Sequence, residues 1–170
     1  MLEGTNVTLE EMMNCRERRA TLQQEYKETY HVPVLSFCMN IPGPVKTNSA
    51  IHALFEDGKE QILSAFSNHH LQILEQKDFH DSTGDELLLC TNTDAQFLKE
   101  LMTNIEETHP LGRLFDIDII DENGNKLSRP VYRKCLICNK QAQECARART
   151  HSVKEMQDMI QKLLEQYHYV

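Results

Sequence analysis

The segment Phe115-Asp116-Ile117-Asp118-Ile119-Ile120-Asp121 alternates acids with apolar residues over its first half. In an extended chain alternate side chains share a face, so Asp116 and Asp118 point one way while Ile117 and Ile119 point into a core. Two carboxylates about 7 Å apart along a strand can converge on one or two Mg2+ ions. Such ions neutralise a polyphosphate and help align a hydroxyl for in-line attack. The plainer alternative is an exposed strand face that carries two acids. Aspartate is a poor strand former, however, and a pair within so apolar a run asks for a reason. Asp121 has the opposite parity and opens Asp121-Glu122-Asn123-Gly124, which is turn chemistry.

A second constellation is Cys135, Cys138, Cys145 and His151, separated by two, six and five residues. Three thiolates and an imidazole form a donor set for tetrahedral Zn2+. The spacing matches no common zinc module, so reduced packed thiols stand as the competing reading, with redox roles as a third. The loop Asn40-Ile41-Pro42-Gly43-Pro44-Val45-Lys46 is the next candidate. Two prolines stiffen it and one glycine permits close backbone approach, so Lys46 could be held against a phosphate. It lacks the Gly-Lys-Ser/Thr of a Walker loop, and an ordinary strand-to-helix connection would look the same. Cys38 and Cys90 fall in apolar runs and read as small core residues, while Cys15 falls in a helix. The eight histidines form no metalloprotease spacing, and His69-His70 reads as a helix end.

Charge is distributed unevenly. The chain of 170 residues carries a formal net charge of −8, which excludes a general nucleic-acid binder. Between Lys126 and Arg149, seven cations face the single anion Glu144, a net of +6 that leaves −14 on the remainder. Such a cluster repels itself unless an anion binds there; a merely solvated basic face is the alternative. The residues from Met1 to Glu11 lack the basic and apolar regions of a signal peptide, and no apolar run approaches the roughly 20 residues of a membrane span. A cytoplasmic protein with reduced thiols and no membrane partner is expected, folded as one domain over 1–170.

The elements that must position these groups follow from periodicity and caps. Thr8 and Glu11 resemble a capping box opening a helix to about Tyr30. Val34–Met39 reads as a strand, and Asn48 or Ser49 can cap a helix with Ile51, Leu54, Phe55, Ile62 and Phe66 on its apolar face. Gly58 argues against that helix being continuous. Leu71–Phe79 and Glu86–Thr91 read as strands joined by a turn. Thr93 or Asp94 caps a helix that Pro110 closes, and Leu114–Ile120 is the next strand. A last amphipathic helix follows Val153, and Arg147 and Arg149 fall on a further helical stretch, diverging from one another. The order β, α, β, β, α, β from Val34 to Ile120 predicts an α+β fold. It is a ferredoxin-like, palm-like antiparallel sheet with helices packed on one face and extra helices at both termini.

The chain resembles the apo-citrate lyase phosphoribosyl-dephospho-CoA transferases. Five segments carry the likeness in the expected order: Arg16, Arg19 and Gln23; Asn40 to Lys46; His109-Pro110-Leu111-Gly112-Arg113-Leu114-Phe115-Asp116-Ile117-Asp118; Leu127-Ser128-Arg129; and Cys135 to His151. At Ala148 the family pattern has serine. The Gly-Ser pair found upstream of Asp-x-Asp in nucleotidyltransferases at large is missing; Gly112-Arg113 stands too close and lacks the serine. The resemblance implies a transferase that moves a prosthetic group from triphosphoribosyl-dephospho-CoA to a serine of citrate lyase's apo acyl carrier subunit, releasing pyrophosphate. It implies that Asp116 and Asp118 hold Mg2+, and that Lys46, Arg113, Arg129, Arg147 and Arg149, joined by Arg16 and Arg19 and by Asn40, bind the substrates. The basic segment could instead dock the carrier, and Asp118 or His109 could serve as base. A related enzyme for another carrier protein, of the malonate decarboxylase type, and a non-catalytic zinc-containing adaptor of citrate lyase are the rival readings.

Overall fold

A computed structural model describes residues 2–170, and Met1 lies outside the described residues. Its frame is a four-stranded sheet built from β1 (Val34–Met39), β2 (Ile73–Asp81), β3 (Gly84–Thr91) and β4 (Phe115–Ile120), in the order β2-β3-β1-β4. Every neighbouring pair is antiparallel. Helices α1 (Leu9–Tyr30), α2 (Ser49–Asn68), α3 (Ala95–Thr108), α4 (Ala142–Ala148) and α5 (Val153–Gln166) complete the chain. The run β1-α2-β2-β3-α3-β4 with this strand order is the α+β arrangement expected from the sequence.

The caps act as the residue types suggest. Thr8 and Glu11 form both reciprocal bonds of a capping box at α1, and Ser152 and Glu155 repeat it at α5. Asn48 caps α2 by accepting the Ile51 N–H at 2.9 Å, and Asp94 caps α3 by accepting the Phe97 N–H at 2.7 Å. Helix α2 ends at Asn68, with His69 and His70 just beyond it.

One face of the sheet buries the main core. Leu35, Phe37, Leu87, Leu89, Ile117 and Ile119 meet α2 and α3 there. Phe37 stacks on Phe55 at 4.9 Å between ring centroids and meets Phe115 edge-on at 5.4 Å. Such pairs contribute about 0.5–1.5 kcal/mol beyond their buried area. Gly58 explains itself here. A Cβ on it would lie 2.7 Å from Phe37 Cζ and 2.9 Å from Phe115 Cζ, so glycine lets an unbroken α2 approach the sheet. The expected interruption of α2 does not occur, because close packing rather than a bend calls for the missing side chain.

The opposite face is apolar at one end and polar at the other. Cys90, Val34 and Ile120 stand side by side across β3, β1 and β4, followed by Leu88, Ser36 and Asp118, then Glu86, Cys38 and Asp116. Helix α1 lies over this face. Its Tyr26 joins Val34, Leu88 and Cys90 in a second core cluster, while Cys15 and Arg19 reach Glu86 at the polar end. Leu9 and Met13 of α1 are exposed.

After β4, Asp121 closes the expected turn by accepting the Asn123 and Asn125 N–H groups at 3.0 and 2.7 Å, with Gly124 at φ +89°. The returning chain makes one bridge, Ile120 to Lys126, and two backbone bonds, Asp121 N–H to the Asn125 carbonyl and Leu127 N–H to the Ile119 carbonyl, both at 2.9 Å, so the turn yields a short return. Helix α4 stops at Ala148, and Arg149 is its cap at φ 48°; only Arg147 of the two arginines is helical. Among the described residues no helix is long and apolar enough to cross a membrane.

Candidate functional site

Strand β4 has strict alternation. Phe115, Ile117 and Ile119 are buried in the main core, and Asp116 and Asp118 emerge together on the face that α1 partly covers. They stand on the floor of a groove of about 540 Å³ whose walls include Lys126, Arg129, Arg133 and Gln141. Asn40 and Asp116 also border an adjoining hollow of about 140 Å³ that holds Arg16, Arg19 and Lys46. Residues 16, 40, 46, 116, 118 and 129, dispersed through the sequence, thus meet in one continuous depression.

The two aspartates differ in environment. Burial and then the charge of Asp118 push the Asp116 carboxyl above its usual range, with Lys126, Arg133 and Arg19 pulling the other way. Asp118 is ion-paired to Lys126 Nζ at 2.6 Å. Beside Asp116 stands Cys38, its Sγ 4.0 Å from Oδ2 and its thiol pushed up to about 12, chiefly by burial. Cys38 therefore lines the polar face rather than the core, unlike Cys90. The crowded pair of carboxylates fits a divalent cation: it concentrates negative charge, offers hard oxygen donors, and leaves one carboxyl reluctant to ionise without further positive charge.

The cationic wall is held by a carboxylate that the sequence did not single out. Glu106, on α3 and 5% exposed, accepts the Ile117 N–H at 3.0 Å and ion-pairs with Arg129 at 3.0 Å and with Arg133. The Nη2 atoms of Arg129 and Arg133 are thus held against the buried Glu106 carboxylate, which anchors both side chains at the border of the groove. Arg113 lies behind them, its pKa lowered by burial and by the charges of Arg133 and Arg129. Lys99 is buried as well and donates to the Ile117 carbonyl at 3.1 Å. Both Lys99 and Glu106 interrupt the apolar stripe of α3 one turn after Ala95 and Met102, which is the signal that could have found them. Glu86, the buried partner of Arg19, was likewise read only as the start of a strand.

Lys46 belongs to the small hollow, where burial and then Arg16 lower its pKa; its Nζ donates to the Ile41 carbonyl at 2.8 Å. The proline-glycine loop is clamped from two sides. Val7 N–H donates to the Pro44 carbonyl at 2.9 Å, and Gln157 of α5 donates to the Pro42 carbonyl at 3.1 Å. Gly43, at φ +88°, passes so near α5 that a Cβ would lie 2.8 Å from Val153. Arg147 and Arg149 are exposed and border neither cavity. His109 turns away from the groove: its Nε2 lies 3.1 Å from Asp57 and its ring packs against Phe115, which removes it as a candidate base.

Cys135, Cys138, Cys145 and His151 come together, their four donor atoms all within 4.8 Å of one another. All six cysteines are free thiols.

The model of one protein family, apo-citrate lyase phosphoribosyl-dephospho-CoA transferase, matches residues 7–167. The protein CitXG of Haemophilus influenzae is 33% identical over 171 residues, covering 98% of this chain and 37% of that protein. The apo-citrate lyase phosphoribosyl-dephospho-CoA transferases of Escherichia coli O1:K1 and of Escherichia coli SMS-3-5 are each 32% identical over 162 residues, covering 93% of this chain and 88% of theirs. The chain therefore spans little more than a third of the Haemophilus protein and most of the Escherichia ones.

Proposed function

This chain belongs to the apo-citrate lyase phosphoribosyl-dephospho-CoA transferase family, and from that membership and the chemistry of the groove we propose that it transfers the prosthetic group of triphosphoribosyl-dephospho-CoA to a serine of citrate lyase's apo acyl carrier subunit. The serine Oγ attacks the innermost phosphorus, a new P–O ester forms, and the bond to the departing pyrophosphate breaks. Asp118, on the groove floor, takes the hydroxyl proton. Mg2+ held by Asp116 and Asp118 would neutralise the triphosphate and align it with the attacking oxygen. A cytoplasmic setting, where substrate and carrier are available, goes with this reading.

The observation that carries the proposal is the pairing of Asp116 and Asp118 with a cationic wall across one groove. Arg129 and Arg133, anchored by Glu106, border the groove as guanidinium groups of a type suited to phosphate oxygens. Arg16, Arg19 and Lys46 lie past Asp116 in the adjoining hollow, whose lining they share with Asp85 and Glu86. Arg113 adds its charge from behind, close enough for Arg133 and Arg129 to lower its pKa.

Mass spectrometry of the apo carrier after incubation with enzyme, Mg2+ and precursor tests the reaction. A gain equal to the phosphoribosyl-dephospho-CoA moiety, with pyrophosphate released in equal amount, is expected. An unmodified carrier would reject it and favour the adaptor reading.

A further inference from the structure

We propose that Cys135, Cys138, Cys145 and His151 bind one structural Zn2+ that fixes the outer wall of the groove. This inference is independent of the transferase reading. Cys138 Sγ lies 3.5 Å from Cys145 Sγ and 3.3 Å from His151 Nε2, and all four donors fall within 4.8 Å of one another. A tetrahedral zinc with Zn–S near 2.3 Å and Zn–N near 2.0 Å needs donor separations of about 3.5–3.8 Å, so the quartet is already close to the required size.

Two features support a metal over three packed thiols beside an imidazole. Residues 133–142 form a small knuckle: Cys135 N–H donates to the Lys140 carbonyl and Ala142 N–H to the Arg133 carbonyl, both at 2.8 Å. Within it the Ile137 N–H faces Cys135 Sγ at 3.5 Å, an arrangement that stabilises a thiolate. Helix α4 then presents Cys145, and Thr150 N–H donates to the Cys145 carbonyl at 3.0 Å, turning the chain so that His151 re-enters.

The second feature is burial. Of residues 131–150 only Cys145 is buried, so this segment has almost no apolar core to hold it. Short segments of that kind generally need a covalent or metal staple. Three thiolates with Zn2+ also carry a formal charge of −1, which would offset part of the crowding among Arg133, Lys134 and Lys140. Because Arg133, Gln141 and Ala142 of this segment border the groove, the ion would hold the wall in place without touching substrate.

Elemental analysis of the full chain, purified reduced, should find about one zinc per chain. Cys138→Ser and His151→Ala should lose it, and Cys90→Ala, outside the quartet, should keep it. Refilling stripped protein with Co2+ should give the thiolate charge-transfer band and intense visible bands of a tetrahedral site. Stripping should also speed trypsin cleavage after Arg133, Lys134 or Lys140 relative to the rest of the chain. Protein that holds no zinc as purified and shows no tetrahedral cobalt spectrum after refilling would overturn the site. Unchanged cleavage in stripped protein would overturn its structural role.

Discussion

Burial and the adjacent Asp118 charge hold the Asp116 carboxyl above its ordinary range, so the folded chain binds that proton more tightly than the unfolded chain. Between the ordinary and the raised value the folded state carries more protons, and stability falls as pH rises through that interval. The deficit persists at neutral pH. Asp116→Asn removes it, so the variant should melt no lower than the parent at pH 7 while Mg2+-dependent transfer drops at least about a hundredfold, or about 3 kcal/mol. Added MgCl2 should raise the Tm of the parent and not that of the variant. A lower Tm together with retained transfer would make Asp116 a structural residue. Glu106 has the opposite character. It is the buried counter-charge of Arg129 and Arg133, and removing one partner of a buried ionic group costs about 3–5 kcal/mol. Glu106→Ala should therefore lower Tm by about 10 °C, at the 2–4 °C per kcal/mol expected for a chain of this size. A change of only a degree or two would show that the arginines find solvent instead. The aspartate pair was legible in the sequence because strand parity alone puts both on one face. Glu106 and Lys99 left only a break in the apolar stripe of α3, and Glu86 left none, because what a buried charge does is decided by its partner across the fold.

Glycine at position 58 separates two readings of α2. By propensity alone, alanine there should stabilise the helix by about 1 kcal/mol. By packing, the added methyl would press on the Phe37 and Phe115 rings at 2.7 and 2.9 Å, and overfilling a core costs about 1–3 kcal/mol. The rings are fully buried and packed on Phe55 and His109, so packing should prevail. Gly58→Ala should lower Tm by about 2–8 °C, and β4, whose first residue is Phe115, should be the strand that shifts. A rise in Tm would mean the rings relax freely. The elements themselves were readable where local chemistry decides: the Thr8 capping box, the Asn48 and Asp94 caps, and the alternation of β4. The sequence misled where a distant contact decides. Glycine read as a helix breaker proved to be a contact point, and α1 is anchored across the fold through Tyr26, Cys15 and Arg19, which no local pattern marks.

Across the whole molecule, a body of net charge −14 carries a segment of +6, and the fold divides that segment by use. Lys126, Arg129 and Arg133 turn inward to the groove, whereas Arg147 and Arg149 remain exposed at the end of α4 and border neither cavity. On the proposed reaction an inward cation would face the nucleotide, and an outward one would face a partner that approaches from outside. If the carrier is acidic, as the proposed reaction requires for docking at this end, attraction to the exposed arginines adds mainly to the rate of encounter. Exposed charges are screened beyond about 8–10 Å at physiological salt. Two outcomes follow for steady-state kinetics of the full chain. Arg147→Glu should raise KM for the apo carrier by about tenfold, close to 1.4 kcal/mol, and leave KM for the nucleotide within twofold. Raising ionic strength should erase most of the difference between variant and parent, because both then lose the same long-range attraction. An equal rise in both KM values would place Arg147 in the nucleotide site despite its exposure, and no change in either would leave the outer arginines as a solvated face.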